Sequence, residues 1–388
     1  MAEAELIVDE AGVERIAAEW DALAVANAEP SCAPAWMLAW WRHVAPRSAE
    51  LRVVAVRDGA ELIGLLPLYV DLGSRRAARR YRLLASDDDF SGSVTPLAAP
   101  DRVWEVAEAA ARLLAGRDLR PDELELAPLP SASPWTFALR ERWPARVRPL
   151  AFRLSRQLSP IVSLHPGSYE AWLAGRSYRF RKESRRYRRL FDEAGGTYRW
   201  TTAGTLDADI ATFVALHEAR WEGVGESRLV ALGERLATFL HDLATGLLPQ
   251  ERFRLLMLEL DGAPICADLW IAAGGDVTGV NTGWDERFKR LSPPRLATLH
   301  TIEDACARGE RRIHLGFGRV DYKQAYANGA DVVTWDRLLL PGASLPRALA
   351  RTLPRAADRR LRDTAKRVLP QSGADRLRAL RGRIRSRA

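Results

Sequence analysis

Apolar positions along the chain alternate between a helical and an extended period, and the same order of elements occurs twice. Leu6–Val8 predicts a short strand. Val13, Ile16, Ala17, Trp20 and Leu23–Ala24 fall at helical spacing and predict a helix over Val13–Ala26. Pro34 suits the first turn of a second helix, Ala35–Val44. Leu51–Arg57 and Leu62–Val70 flank Asp58-Gly59, a hairpin signal because the turn needs positive φ. Tyr81–Ala85 (strand), Val103–Leu114 (helix), Glu123–Leu126 (strand) and Trp135–Arg142 (helix) follow. Two extended stretches, Val147–Leu154 and Ile161–Leu164, close this half.

The second half repeats the order. Tyr198–Thr202 reads as a strand, Leu206–Glu222 and Glu234–Leu243 as helices. Phe253–Leu260 and Pro264–Ala272 flank a second hairpin at Asp261-Gly262. Val277–Thr282 (strand), Pro294–Arg308 (helix), Arg312–Leu315 (strand), Asp321–Asn328 (helix) and Val332–Leu340 (strand) complete it. Between the halves, Leu173, Ser177, Phe180, Ser184, Tyr187 and Phe191 form one stripe, predicting a single long helix over Tyr169–Glu193 stopped by Gly195-Gly196. The predicted fold class is α/β with mixed sheets. The expected division is a first domain over 1–164, a second over 165–345 that includes the linker helix 169–193, and a tail over 346–388.

Charge refines this picture. Residues 346–388 carry a net +11 against +8 for the whole chain, so the other 345 residues sum to −3. The basic character belongs to the tail, whose expected partner is an anionic membrane surface or RNA; a solvated end is the other reading. Leu361, Ala365, Val368, Leu377, Leu380 and Ile384 make short apolar stripes within it, which suits attachment to an anionic membrane. The linker holds eight Lys/Arg over residues 176–189 and one acid, Glu183. A charged helix bridging two domains and a clamp on an anionic substrate or RNA backbone both fit it.

Composition excludes several classes. About 47% of the chain is apolar and 28% charged, enough for an ordinary core in each half. The clustered Trp20, Trp36, Trp40 and Trp41 are expected mostly in the core. The start, MAEAELIVDE, is acidic where an export signal is basic, and no run is apolar enough to span a membrane. A cytoplasmic protein is expected, peripheral at the inner membrane surface if the tail attaches there. Cys32, Cys266 and Cys306 are scattered, and six histidines show no ligand spacing, so no disulfide framework or metal site is expected. Asp87-Asp88-Asp89 reads as a polar loop, since carboxylates without a spaced partner do not define a metal site.

Specific chemistry begins at Gly283. The run GWDERFKRLSPPRLATLHTIEDACARGERRIHLGFGRVDYKQAY resembles the C-terminal signature of CelD/BcsL-type acetyltransferases, members of the GNAT superfamily related to Fem-type aminoacyl transferases. Arg220-Trp221, the hairpin Leu258–Cys266 and the linker RFRKESRRYRRL extend the resemblance; PLYVDLG and Asp87–Phe90 do so more weakly. It covers about residues 1–340 and implies two tandem GNAT-like domains, the first degenerate in donor binding. Two positions depart from the pattern: Pro294 stands where the family has Gly, and Gly316 where it has Asp.

The resemblance implies acyl transfer from acyl-CoA to an amine of an amino sugar, polysaccharide precursor or small metabolite, in exopolysaccharide production, with acetyl-CoA or another acyl-CoA as co-substrate. A helix start can hold a pyrophosphate on free backbone N–H groups. Thr282, Gly283, Ser292, Pro293, Pro294 and Arg295 are the expected donor-binding residues, although Ser-Pro is also an ordinary helix start. Tyr322 resembles the acid that protonates the leaving thiolate, with Tyr326 as substitute and Lys323 beside it, meeting donor phosphate, substrate carboxylate or solvent. Asp268, inside an apolar strand, is the expected base because desolvation raises a carboxyl pKa; Asp285 and Asp321 are weaker candidates. His217, Glu218, Arg220 and Trp221 are expected to border the acceptor. Two rival expectations are transfer from aminoacyl-tRNA, as in Fem-type enzymes, and a non-catalytic scaffold at the membrane.

Overall fold

The computed structural model describes residues 2–73, 78–86, 92–116, 118–164, 168–221, 229–317 and 321–354. In the first half, β1 (Glu3–Ile7) leads into α1 (Glu10–Ala26) and α2 (Pro34–His43). β2 (Ala49–Leu51), β3 (Val53–Asp58), β4 (Glu61–Leu66), β5 (Leu68–Asp71), β6 (Arg80–Leu83) and β7 (Leu97–Ala98) follow, then α3 (Val103–Leu114), β8 (Glu123–Pro130), α4 (Trp135–Glu141) and β9 (Leu150–Ser163). The helices α5 (Tyr169–Ala174) and α6 (Tyr178–Glu193) lead to the second half. That half runs β10 (Gly196–Trp200), α7 (Leu206–Trp221), α8 (Arg235–Leu247), β11 (Phe253–Leu260), β12 (Ala263–Ala273), β13 (Asp276–Trp284), α9 (Pro293–Ala307), β14 (Arg312–His314), α10 (Asp321–Tyr326) and β15 (Gly329–Leu339). Residues 345–354 are helical, and the apolar stripes predicted further along the tail lie outside the described residues, as does Asp87–Phe90.

The fold is α/β with mixed sheets, in two halves of similar element order. A four-stranded sheet runs β1-β3-β4-β7, and an eleven-stranded sheet runs β10-β11-β12-β13-β14-β9-β15-β8-β6-β5-β2. Two bent runs link the sheets: β2 and β3 are separated by Arg52, and β4 and β5 by Pro67, which cannot donate to a ladder. The long sheet is continuous because the closing strands are exchanged. β9, from the first half, pairs antiparallel with β14 and β15, and β15 pairs with both β9 and β8. The hydrogen-bonded sheet therefore does not break at residue 164.

Several predicted elements change form. The two stretches before residue 164 are one strand, β9, paired through Pro160 opposite Ala330. The linker is two helices. Gly175 ends α5, and Ser177 caps α6 by accepting a hydrogen bond from the Phe180 N–H at 3.2 Å, so Leu173 is not on the α6 stripe. The two hairpins also differ. At the second, Asp261 and Gly262 both take positive φ, as a two-residue primed turn requires. At the first, Asp58 pairs with Glu61, so the loop is Gly59-Ala60 with only Gly59 at positive φ.

The halves share one large core. Trp20, Trp36 and Trp40 are fully enclosed, with the Trp36 and Phe239 rings edge to face at 5.7 Å between α2 and α8. His43 and Asp242 tie the same two helices at 2.9 Å. On the other face of the long sheet, α6, α9 and α10 pack through Phe180, Leu299, Ile302 and Tyr326 around Trp270 and Val277.

Candidate active site

The second half contains a parting strand pair. β13 and β14 run parallel over three rungs only: Asp276–Arg312, Val277–Ile313 and Thr278–His314. β14 ends there, and Leu315 N–H turns to the Pro160 carbonyl, while β13 continues to Trp284. The register of β12 against β13 shifts between Leu269 and Trp270, leaving Val280 opposite no β12 residue. Such a bulge re-aims side chains at a strand edge. The first half repeats the motif: β6 pairs with β8 over Arg80–Glu123, Tyr81–Leu124 and Arg82–Glu125 before β8 runs on paired with β15 alone.

On the α9 face of this wedge lie Asp268, Thr282 and Trp270. The Asp268 carboxyl accepts the Thr282 hydroxyl at 2.5 Å and the Trp270 indole N–H at 2.9 Å. Asp268 is 2% exposed, and burial pushes its carboxyl up to about 7 despite those two bonds. Thr282 remains half-buried and lies between the carboxyl and the open edge of β13. Tyr322 stands exposed on α10. Partial enclosure of its phenol, then the charge of Asp268, hold it above the ordinary tyrosine range, so it keeps its proton at neutral pH. Tyr326, one turn on, is buried against Phe180 and pushed up to about 12. The structure thus gathers Asp268, Thr282, Tyr322 and Tyr326 in one neighbourhood.

Lys323 hydrogen-bonds the Phe317 carbonyl at 3.3 Å, and burial lowers its ammonium. Its Nζ sits 3.1 Å from where a Cβ on Gly316 would project. Gly316 has φ +79°, a region that favours glycine.

The start of α9 differs from a phosphate cradle. Ser292 occupies the N-cap position with φ 55° and makes no side-chain capping bond. Pro293 and Pro294 have no N–H to give. The Arg295 and Leu296 N–H groups both bond to the Ser292 carbonyl, and the Ser292 N–H bonds to the Lys289 carbonyl. Positions 292–296 therefore present no free backbone donor. Arg295 is engaged with the linker: it pairs with Glu183 at 2.8 Å and lies over the rings of Phe180 and Tyr187 at 5.0 and 5.5 Å.

The α7 residues approach β13 from the opposite face. A Cβ on Gly283 would lie 2.6 Å from the His217 backbone nitrogen, so glycine permits this close packing. His217 is fully buried, stacks on Phe213 at 5.6 Å, and is held neutral by desolvation. Arg220 pairs with Glu286 at 3.3 Å and lies over the Trp284 ring at 5.8 Å. Trp221 ends α7 beside His217, their rings 6.2 Å apart. Asp285 caps the following turn and binds Arg287 at 2.6 Å.

Sequence reasoning missed a second polar constellation on that face. Glu29, Asp276, Arg312, His314 and Asp331 converge from four segments between the halves. The available signal was the alternation Arg312-x-His314 in a buried strand opposite Asp276.

Residues 178–324 match the family model described as an acetyltransferase (GNAT) domain. The chain is similar in fold to the crystal structure of FemX, at TM-score 0.61 and 11% identity, covering 86% of this chain and 98% of that one. It is also similar to the C-terminal domain of a putative lysylphosphatidylglycerol synthetase from Agrobacterium fabrum, at TM-score 0.55 and 9% identity, over 87% and 95% of the two chains. A conserved protein of unknown function from Bacteroides thetaiotaomicron gives TM-score 0.54 at 10% identity, over 87% and 100%. A search of curated proteins returns no match. Among the described residues no helix is long and apolar enough to cross a membrane.

Proposed function

We propose that this chain is an N-acyltransferase whose chemistry takes place at the parting of β13 and β14, in the manner of CelD/BcsL-type acetyltransferases. One observation carries the reading: a carboxyl raised to about 7, Asp268, is joined through the Thr282 hydroxyl to the strand edge, with the protonated phenol of Tyr322 nearby. A general base works best with a pKa near the operating pH. Asp268 is too enclosed to meet an acceptor directly, so Thr282 relays. Its oxygen takes a proton from the attacking amine as its own proton passes to Asp268. Tyr322 donates a proton to the departing group, and a phenol that stays protonated at neutral pH suits that role. The new C–N bond forms as the acyl–heteroatom bond of the donor breaks. An activated acyl donor, acetyl-CoA in the first reading, supplies the carbonyl. The open β13 edge suits an extended donor arm, whereas the donor phosphates would need a holder other than the first turn of α9.

That same turn favours a second reading, an aminoacyl-tRNA donor as in Fem-type enzymes. Pro293 and Pro294 withhold the backbone donors a pyrophosphate would use. Meanwhile α6 turns Arg179, Lys182, Arg185, Arg186 and Arg189 to solvent, a charge pattern suited to a nucleic-acid backbone. Incubating the chain and an amine acceptor with acetyl-CoA, followed by thiol release, and in parallel with radiolabelled aminoacyl-tRNA, followed by loss of label from RNA, tests both. Turnover of either donor supports acyl transfer and selects the reading. Turnover of neither, across a panel of primary amines, contradicts it.

A further inference from the structure

Between the halves, on the face of the long sheet away from α9, is a polar cavity of about 210 Å³. Its walls come from the turn at Glu29–Ser31, the segment at Gly92-Ser93, Ser131 after β8, Ser159 on β9, Asp276 and Thr278 on β13, Arg312 and His314 on β14, and Asp331 on β15. This is room for a small metabolite, well beyond a single water.

The charges inside are unbalanced. Three carboxyl groups, Glu29, Asp276 and Asp331, face one guanidinium, Arg312, and one imidazole, His314. Arg312 binds Asp276 Oδ2 at 2.7 Å and reaches Asp331 only at 3.5 Å. His314 Nε2 lies 3.1 Å from the same Asp276 oxygen. Burial pushes Asp276 up, but the His314 and Arg312 bonds outweigh it and hold the group low and ionised. Its other oxygen, Oδ1, is buried without a hydrogen bond; Arg311 comes to 3.5 Å but donates to the Gly274 carbonyl instead. A buried carboxylate oxygen left bare is costly, and a donor arriving in the cavity would satisfy it. Glu29 is pushed up to about 8 by desolvation and then by the Asp276 charge, with Arg312 opposing and Asp331 adding. A cation placed here relieves both.

We infer that this cavity is a binding site for a small hydroxylated primary amine, its ammonium held among Glu29, Asp276 and Asp331 and its hydroxyls among Ser31, Ser131, Ser159 and Thr278. Thr278 and His314 form the last rung before β13 and β14 part, and Gly316, just beyond, also lines the cavity. The site is therefore next to the wedge. The inference stands apart from the acyltransferase reading: Asp276 opens β13 while Thr282 lies near its other end on the opposite face, so an ammonium held at Asp276 is a ligand beside the wedge and not the nucleophile.

The test is calorimetric titration of the full chain, without any acyl donor, using glucosamine, glucose and N-acetylglucosamine as probes. Glucosamine is expected to bind. Glucose and N-acetylglucosamine, which lack the ammonium, are expected to bind about tenfold more weakly or not at all. Asp331→Asn, at a partly exposed position, and the near-isosteric Glu29→Gln should each weaken glucosamine by about tenfold, with unchanged thermal melting marking an intact fold. Equal affinity for N-acetylglucosamine, no glucosamine heat, or unchanged affinity in both folded variants overturns the inference. Glucosamine binding that is lost in the variants while no donor turns over keeps the site and sinks the acyltransferase reading.

Discussion

Thr282 donates its hydroxyl hydrogen to the Asp268 carboxyl at 2.5 Å, across the rung where β12 and β13 face each other. Asp268 also takes the Trp270 N–H, so both of its oxygens are engaged in a site closed to water. These bonds favour the charged form, yet burial wins and the carboxyl rises to about 7.

This gives a stability signature with a definite sign. An unfolded aspartate ionises near 3.8, the folded one near 7. Between those values the native state holds a proton that the unfolded state lacks, so stability falls as pH rises through the window and levels off above it. Asp268→Asn removes the ionisation. Urea denaturation from pH 4 to 8 should show the variant with a flatter profile than the parent, its relative stability rising with pH.

Tyr322→Phe should leave the fold intact, because the side chain is 62% exposed. If its phenol protonates the leaving group, the rate of acyl transfer should fall by roughly a hundredfold with little change in KM. A rate within twofold or so of the parent would remove Tyr322 from the chemistry.

Arg295 is a half-buried cation between two rings and Glu183, tying α9 to α6. Arg295→Ala should lower stability by about 1–3 kcal/mol, since it takes away a charged hydrogen bond and the cation–ring contacts together. The midpoint of chemical denaturation measures this. A loss confined to donor KM, with stability unchanged, would show a ligand-holding role in its place.

Pro294 and Gly316, where the sequence departs from the pattern it resembles, can each be substituted back. Pro294→Gly gives the first turn of α9 one backbone N–H back, and should raise acetyl-CoA affinity if phosphate is bound there. Gly316→Asp introduces a side chain at φ +79° and should cost about 1–2 kcal/mol, part of it offset by Lys323 close by. Differential scanning calorimetry reads the second.

The sequence revealed most elements because local signals and tertiary demands agreed in them. The helical spacing in α1 and the Asp261-Gly262 turn are of this kind. It misled where long-range pairing overrode a local breaker. Pro160 looks like a strand end, but in β9 its carbonyl accepts from Leu315 and the ladder continues around it. The exchange of β9 and β15 was not legible, because nothing in a strand's own residues names its neighbour. Asp268 stood out as a charge within an apolar run. Glu29, Asp276, the Arg312/His314 pair and Asp331 did not, since they come from four separate segments and only the closed sheet brings them together.

The relay from Thr282 to Asp268 is best tested by the pH dependence of single-turnover acyl transfer with the parent, Asp268→Asn and Thr282→Val. The account predicts an acid limb near pH 7 in the parent, and a rate at least about a hundredfold lower, without that limb, in both variants. A limb that survives either substitution at near-parent rate would contradict it.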